Sequence, residues 1–233
     1  STPALYDINQ DGTPEIIIGG GTFYNLFAST RPTVGQRFYV MDGKTTADMP
    51  GWEGGKVIGG NVPGSPVVGD IVGDSEPEIV VTAMDGKIYA WHLNGTAVSG
   101  FPMTPLTQTG IATPNAFNVP TTNILADYDG DGKMEIFLNQ SWTVTIVDGN
   151  GQQLTNTNFP ADSKPLYIAD NRLSNNPAVG DIDGDGQLEL VVYNSTLTVW
   201  DLPSGAVEAD WPMFKQNAAR TSYDPQPTLY SSS

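Results

Sequence analysis

The residues best suited to chemistry in this 233-residue chain form a nine-residue loop, Asp181-Ile182-Asp183-Gly184-Asp185-Gly186-Gln187-Leu188-Glu189, which runs straight into the apolar Leu190-Val191-Val192-Tyr193. Side-chain oxygens at loop positions 1, 3, 5 and 9, the carbonyl of position 7, and a glycine at position 6 for the reversal suit a hard cation of the calcium type. The pattern recurs. Asp7, Asn9, Asp11, the Thr13 carbonyl and Glu15 supply one set; Asp127, Asp129, Asp131, the Lys133 carbonyl and Glu135 supply another; Asp181, Asp183, Asp185, the Gln187 carbonyl and Glu189 complete the third. A degraded copy keeps Asp70, Asp74 and Glu78 but has Val72 at position 3 and Ser75 at position 6, so it is expected to be empty or weak. A helical EF-hand is excluded, because its bidentate glutamate belongs at position 12, where Ile18, Leu138 and Val192 stand. The alternative is a set of acidic hairpin turns with solvated carboxylates, but a turn needs no acid at positions 1, 3 and 9 together. Five protein groups per loop leave little room for an outside ligand, so roughly three structural Ca2+ sites are expected.

These loops must be positioned by a repeating unit. Asp7, Asp70, Asp127 and Asp181 recur at intervals of 63, 57 and 54 residues, dividing residues 1–220 into units of approximately 1–60, 61–118, 119–173 and 174–220, with 221–233 as a polar tail. Each unit has a short apolar lead-in, with a proline at Pro3, Pro66 and Pro177 but Asn123 in the third. An acid then opens a β-branched run, as in Glu15-Ile16-Ile17-Ile18 and Glu78-Ile79-Val80-Val81. An alternating stretch follows, such as Arg37-Phe38-Tyr39-Val40-Met41, and then a turn such as Asn94-Gly95. An aromatic beside glycine or proline closes each unit: Gly51-Trp52, Phe101-Pro102, Phe159-Pro160 and Trp211-Pro212. Short β-branched runs flanked by glycine read as buried strands, and the 26 glycines and 18 prolines argue for an all-β fold. Three or four antiparallel strands per unit, stacked radially, describe a β-propeller of four four-stranded blades, either a closed four-bladed ring or part of a larger propeller. A β-sandwich is the alternative.

Composition narrows the function. A net charge of −16 opposes a phosphate backbone or an anionic membrane, so no nucleic-acid partner is expected. No apolar run approaches the roughly 18 residues of a membrane span, and no membrane insertion is expected. The absence of cysteine leaves the compartment open. His92, the single histidine, follows Trp91 and reads as a surface or packing residue. No Gly-x-Ser-x-Gly elbow is present and the paired acids are absorbed by the loops, so no enzyme is expected. Trp91, Trp200, Tyr89 and Tyr39 hold matching strand positions and read as packing between blades rather than a sugar-stacking ring. Candidate ligand residues are those that do not repeat: Phe23, Tyr24, Asn25, Phe27 and Arg31, with Asn115, Phe117 and Asn118.

The recurring Pro-x-x-x-Asp-x-Asp-Gly-Asp-Gly-x-x-Glu followed by Leu or Ile and Val-Val, with a Gly-Phe-Pro or Trp-Pro close, resembles the FG-GAP or VCBS repeat, the blade of integrin-α-like β-propellers. The resemblance covers almost the whole chain. It implies calcium in the loop joining the first two strands of a blade, a secreted or cell-surface location, and a non-catalytic binding or adhesion role toward a glycan or an extracellular protein. Alternatives are a non-catalytic domain or fragment of a polysaccharide-degrading enzyme, or a purely structural surface protein. Propellers of this type usually have roughly seven blades, which leaves self-assembly open if four blades do not close.

Overall fold

The β-branched runs opened by Glu15, Glu78, Glu135 and Glu189 each form the second strand of an antiparallel sheet. The computed structural model describes residues 2–20, 36–105, 122–140, 143–155, 165, 167–168, 176–193 and 196–203. The first sheet holds β1 (Ala4–Tyr6), β2 (Glu15–Gly19), β3 (Arg37–Met41) and β4 (Lys56–Val57) in that order. The second holds β5 (Val67–Gly69), β6 (Glu78–Thr82) and β7 (Ile88–His92). The third holds β8 (Ile124–Ala126), β9 (Glu135–Gln140), β10 (Thr143–Val147) and β11 (Tyr167–Ile168), and the last holds β12 (Ala178–Gly180), β13 (Glu189–Tyr193) and β14 (Leu197–Asp201). The fold is therefore all-β, with four propeller-type blades and no helix among the described residues. Register is shared as well: the opening glutamate pairs with Tyr6, Gly69, Ala126 or Gly180, so the same loop joins the first two strands every time.

Four strands are seen in the first and third blades and three in the others. In the second blade the fourth strand shrinks to one bridge, Ile88 with Met103. Pro102 and Pro105 flank that bridge, and proline has no N–H with which to extend a ladder. In the last blade the corresponding segment lies outside the described residues.

The blades stack by one rule. Each sheet has a forward face, turned toward the next blade, and a rear face, turned toward the preceding one. Forward residues of the first blade (Ala4, Ile17, Phe38 and Val40) share a core with rear residues of the second (Val68, Ile79, Tyr89 and Trp91). Phe38 and Trp91 stack with ring centroids 5.1 Å apart. Forward residues Val67, Val80 and Ala90 of the second blade join rear residues Leu125, Ile136 and Val147 of the third. Ile124, Phe137 and Ile146 then face Val179, Leu190 and Val192 of the fourth. Polar ties cross the same seams, with Thr82 Oγ1 donating to Asn123 Oδ1 at 2.7 Å and the Thr122 amide donating to Asn176 Oδ1 at 2.9 Å. Asn123, in place of proline in the third lead-in, is thus a link between blades. Trp91 and Tyr89 are buried in a seam, while Trp200 and Tyr39 are half-buried.

The Gly-aromatic close also acts between blades. Gly51 and Gly100 adopt φ of 83° and 90°, and a Cβ would lie 2.0 Å from the Asn94 carbonyl oxygen at the first and 2.1 Å from that of Asn150 at the second. The hairpin of the following blade can lie against the close only because no side chain intervenes, while Trp52 and Phe101 beside these glycines are buried. Trp52 Nε1 donates to the Leu93 carbonyl at 2.8 Å. Gly54 has a similar φ of 69° but open space around it. Gly51→Ala and Gly100→Ala are expected to lower stability by about 1–3 kcal/mol more than Gly54→Ala, an order read directly from urea-unfolding midpoints.

Candidate metal centres

Backbone amides shape each loop before any cation is considered. The position 1 aspartate accepts two of them: Asp7 from Asp11 and Gly12, Asp70 from Gly73 and Ser75, Asp127 from Gly130 and Gly132, Asp181 from Gly184 and Gly186, all between 2.6 and 3.1 Å. Position 5 ties the amide of position 7, with Asp11 accepting from Thr13, Asp131 from Lys133 and Asp185 from Gln187. Position 6 needs a positive φ, which is 83° at Gly12, 82° at Gly132 and 88° at Gly186. Ser75 adopts the same conformation at 69°, so the degraded loop keeps its path at the cost of local strain.

The position 9 glutamate is the pivot. Glu15, Glu78, Glu135 and Glu189 are 1%, 0%, 3% and 3% exposed. In each, Oε2 accepts from the amide seven residues earlier: Ile8 at 2.7 Å, Ile71 at 3.1 Å, Tyr128 at 2.7 Å and Ile182 at 2.8 Å. One oxygen of the carboxylate is thereby fixed and the other remains. In the first loop that other atom, Glu15 Oε1, is buried with no protein partner.

Such a set fits calcium. Ligand atoms of Asp127, Asp129 and Glu135 lie within 4.8 Å of one another, as do those of Asp181, Asp183 and Glu189. Oxygens bound about 2.4 Å from one cation can be no further apart than about 4.8 Å. Burial pushes Glu135 up to about 8, with the Tyr128 amide opposing and Asp129, Asp127 and Asp131 adding to the rise. Glu15 is raised by burial too, with Asp7 and Asp11 contributing. Buried carboxylates that raise one another are the charge pattern a divalent cation relieves. The loops differ at position 5: Lys44 Nζ sits 3.1 Å from Asp11 Oδ2 and Lys133 Nζ 2.5 Å from Asp131 Oδ2, holding both carboxyls below the usual range, whereas Asp185 Oδ2 accepts from the neutral Gln187 side-chain amide. The first loop uses the amide oxygen of Asn9, already accepting from the Asp11 N–H at 3.0 Å, where the others present a carboxylate.

The degraded loop is organised differently. His92 Nδ1 lies 2.9 Å from Glu78 Oε1, so the oxygen that stands without a protein partner in Glu15 is here met by a side chain. Burial pushes Glu78 up to about 7, while the Ile71 amide and His92 draw it down. Asp74, Glu78 and His92 do offer ligand atoms within 4.8 Å, but Val72 supplies none and the set is a mixed nitrogen and oxygen one. Sequence reading alone assigns His92 to packing or the surface. The available signal is strand register: His92 pairs with Glu78 as Asp201 pairs with Glu189, and the same place in the other blades falls to Asp42 and Asp148. The candidate ligand residues Phe23, Tyr24, Asn25, Phe27, Arg31, Asn115, Phe117 and Asn118 lie outside the described residues.

A family model described as "FG-GAP-like repeat" matches residues 70–138 and 127–192. No curated protein matches. Among solved structures, the biofilm matrix protein Bap1 of V. cholerae is similar at 18% identity and a TM-score of 0.42, over 94% of this chain and 40% of that one. The Tc holotoxin pore of Photorhabdus luminescens is similar at 17% identity and a TM-score of 0.38, over 89% of this chain and 9% of that one.

Removal of the His92 ring leaves Glu78 Oε1 buried without a partner. His92→Ala is therefore expected to lower stability by about 1–3 kcal/mol, and by the same amount in calcium as in chelator, when followed by chemical denaturation.

Proposed function

Because the chain belongs to the FG-GAP-like repeat family, we propose that it is an extracellular, calcium-stabilised β-propeller module that binds a glycan or a protein and carries out no catalysis. The observation that supports this most is the use made of the acids. The densest groups of carboxylates in the described residues are committed, loop by loop and in one register, to joining the first two strands of each blade. A site repeated with each blade serves the scaffold. Recognition then falls to what does not repeat, with the aromatic and amide residues between Phe23 and Arg31 and between Asn115 and Asn118 as its candidates.

In this reading Ca2+ is held by Asp7, Asn9, Asp11, Thr13 and Glu15, by Asp127, Asp129, Asp131, Lys133 and Glu135, and by Asp181, Asp183, Asp185, Gln187 and Glu189. Titration calorimetry of chelated protein should count about three tight sites, with Asp129→Ala and Asp183→Ala each removing one. Calcium should raise the melting temperature, since a site filled at one hundred times its Kd adds about 2.7 kcal/mol; a melting temperature indifferent to chelation refutes the assignment. Glycan or protein arrays test recognition, where loss of binding is expected in Phe23→Ala, Tyr24→Ala or Phe117→Ala. Cleavage of any polysaccharide by the chain would overturn the non-catalytic reading.

A further inference from the structure

Only in the second blade does an imidazole stand opposite the position 9 glutamate. Strand register brings Asp42 to that place in the first blade, Asp148 in the third and Asp201 in the fourth, but His92 in the second. Asp42 and Asp148 cap their own hairpins: Asp42 Oδ1 accepts from the amides of Lys44 and Thr45, and Asp148 Oδ1 from those of Asn150 and Gln152. In the second blade that role passes to Asn94, whose Oδ1 accepts the Thr96 amide at 3.0 Å and the Thr96 hydroxyl at 2.7 Å. The His92 ring is spared the turn and turns Nδ1 toward Glu78 Oε1, 2.9 Å away. Asp74 completes the group. Its Oδ1 accepts the Glu76 amide at 3.0 Å, which fixes the carboxylate and leaves Oδ2, and ligand atoms of Asp74, Glu78 and His92 lie within 4.8 Å of one another.

We propose that the second blade carries a transition-metal site of the zinc type, held by His92 Nδ1, Glu78 and Asp74 and chemically distinct from the calcium loops of the other three blades. Ligand type makes the distinction. Calcium requires about six to eight oxygens, whereas here Val72 removes the position 3 oxygen and a ring nitrogen enters instead. One imidazole with two carboxylates is a donor set of zinc and its first-row neighbours. Neighbouring donors bound at about 2.1 Å stand about 3.0 Å apart in an octahedral shell and about 3.4 Å apart in a tetrahedral one, so the His92 and Glu78 atoms need little adjustment. On binding, the cation takes the place of the proton held between ring and carboxylate. The site is also anchored and reachable. Glu78 is buried and fixed by the Ile71 amide at 3.1 Å, while Asp74 is exposed and His92 half-buried, so a cation enters from the solvent side. Three protein ligands leave the remaining coordination to water.

The chain has one histidine and no cysteine, so an imidazole-bound metal can sit nowhere else and its NMR signature is unambiguous. The full chain is titrated with Zn2+ in excess calcium, by calorimetry and by NMR of the histidine ring. A single Zn2+ per chain is expected, with the His92 ring resonances moving as it binds. Asp74→Asn, on the exposed loop, should keep the wild-type circular dichroism and weaken Zn2+ binding by about tenfold or more. His92→Ala should abolish it; should that variant fail to fold, the ring resonances and Asp74→Asn decide. No Zn2+ uptake in excess calcium overturns the proposal. So does Zn2+ that binds without moving the His92 resonances, or that Asp74→Asn binds as tightly as the wild-type chain.

Discussion

In every repeat a buried glutamate opens the second strand and accepts the amide of the residue seven positions earlier, at the far side of the loop. A carboxylate withdrawn from water without compensation costs on the order of several kcal/mol, so each blade carries a demand that its loop must meet. One oxygen is satisfied by the backbone, which fixes where the loop begins relative to the strand it enters. The second oxygen requires a positive or donating partner. In the loops of Asp127 and Asp181 the neighbouring acids bring ligand atoms close enough together for a divalent cation; in the degraded loop His92 reaches across from β7 to Oε1 of Glu78. Val72 at position 3 and His92 opposite Glu78 occur together in this one loop, and the strand register around Glu78 is that of the other blades.

This fastener acts inside a blade, whereas blades are joined by other means. Between them lie apolar faces, the Phe38 and Trp91 stack, and glycines at Gly51 and Gly100 that admit the next hairpin against the chain itself. The two devices meet near the loops, where the Met134 amide of the third blade donates to the Asp70 carbonyl of the second at 2.8 Å. A loop that holds its shape therefore also presents a correctly placed acceptor to its neighbour. Local order at the loops and order across the seams reinforce one another, which is the condition for a repeat array to behave as one body.

Repetition also limits what the acids can do for function. Groups that occur at equivalent positions in successive blades, each held by amides of its own loop, answer to the fold in each place. Specificity of any kind needs asymmetry, and in this chain the asymmetry lies in the long segments between strands.

The loops, the strands and their fourfold order are legible in the sequence because the physics behind them is local. A glycine at position 6 reports a positive φ, an acid at position 9 reports the start of a strand, and a β-branched run reports burial. His92 escaped such a reading because its partner, Glu78, is fourteen residues away and is brought opposite only by the register of β6 and β7. The fourth strand of the second blade was lost for a related reason, since Met103 finds its bridge but the flanking prolines stop the ladder. Nor does composition distinguish an inner blade from an outer one. Ile16 and Ile18 are as apolar as Ile79 and Val81, yet the first pair is half-exposed and the second buried. Alternation along a strand fixes two faces, but what covers each face depends on the stacking of sheets far apart in the chain, and only the tertiary structure decides that.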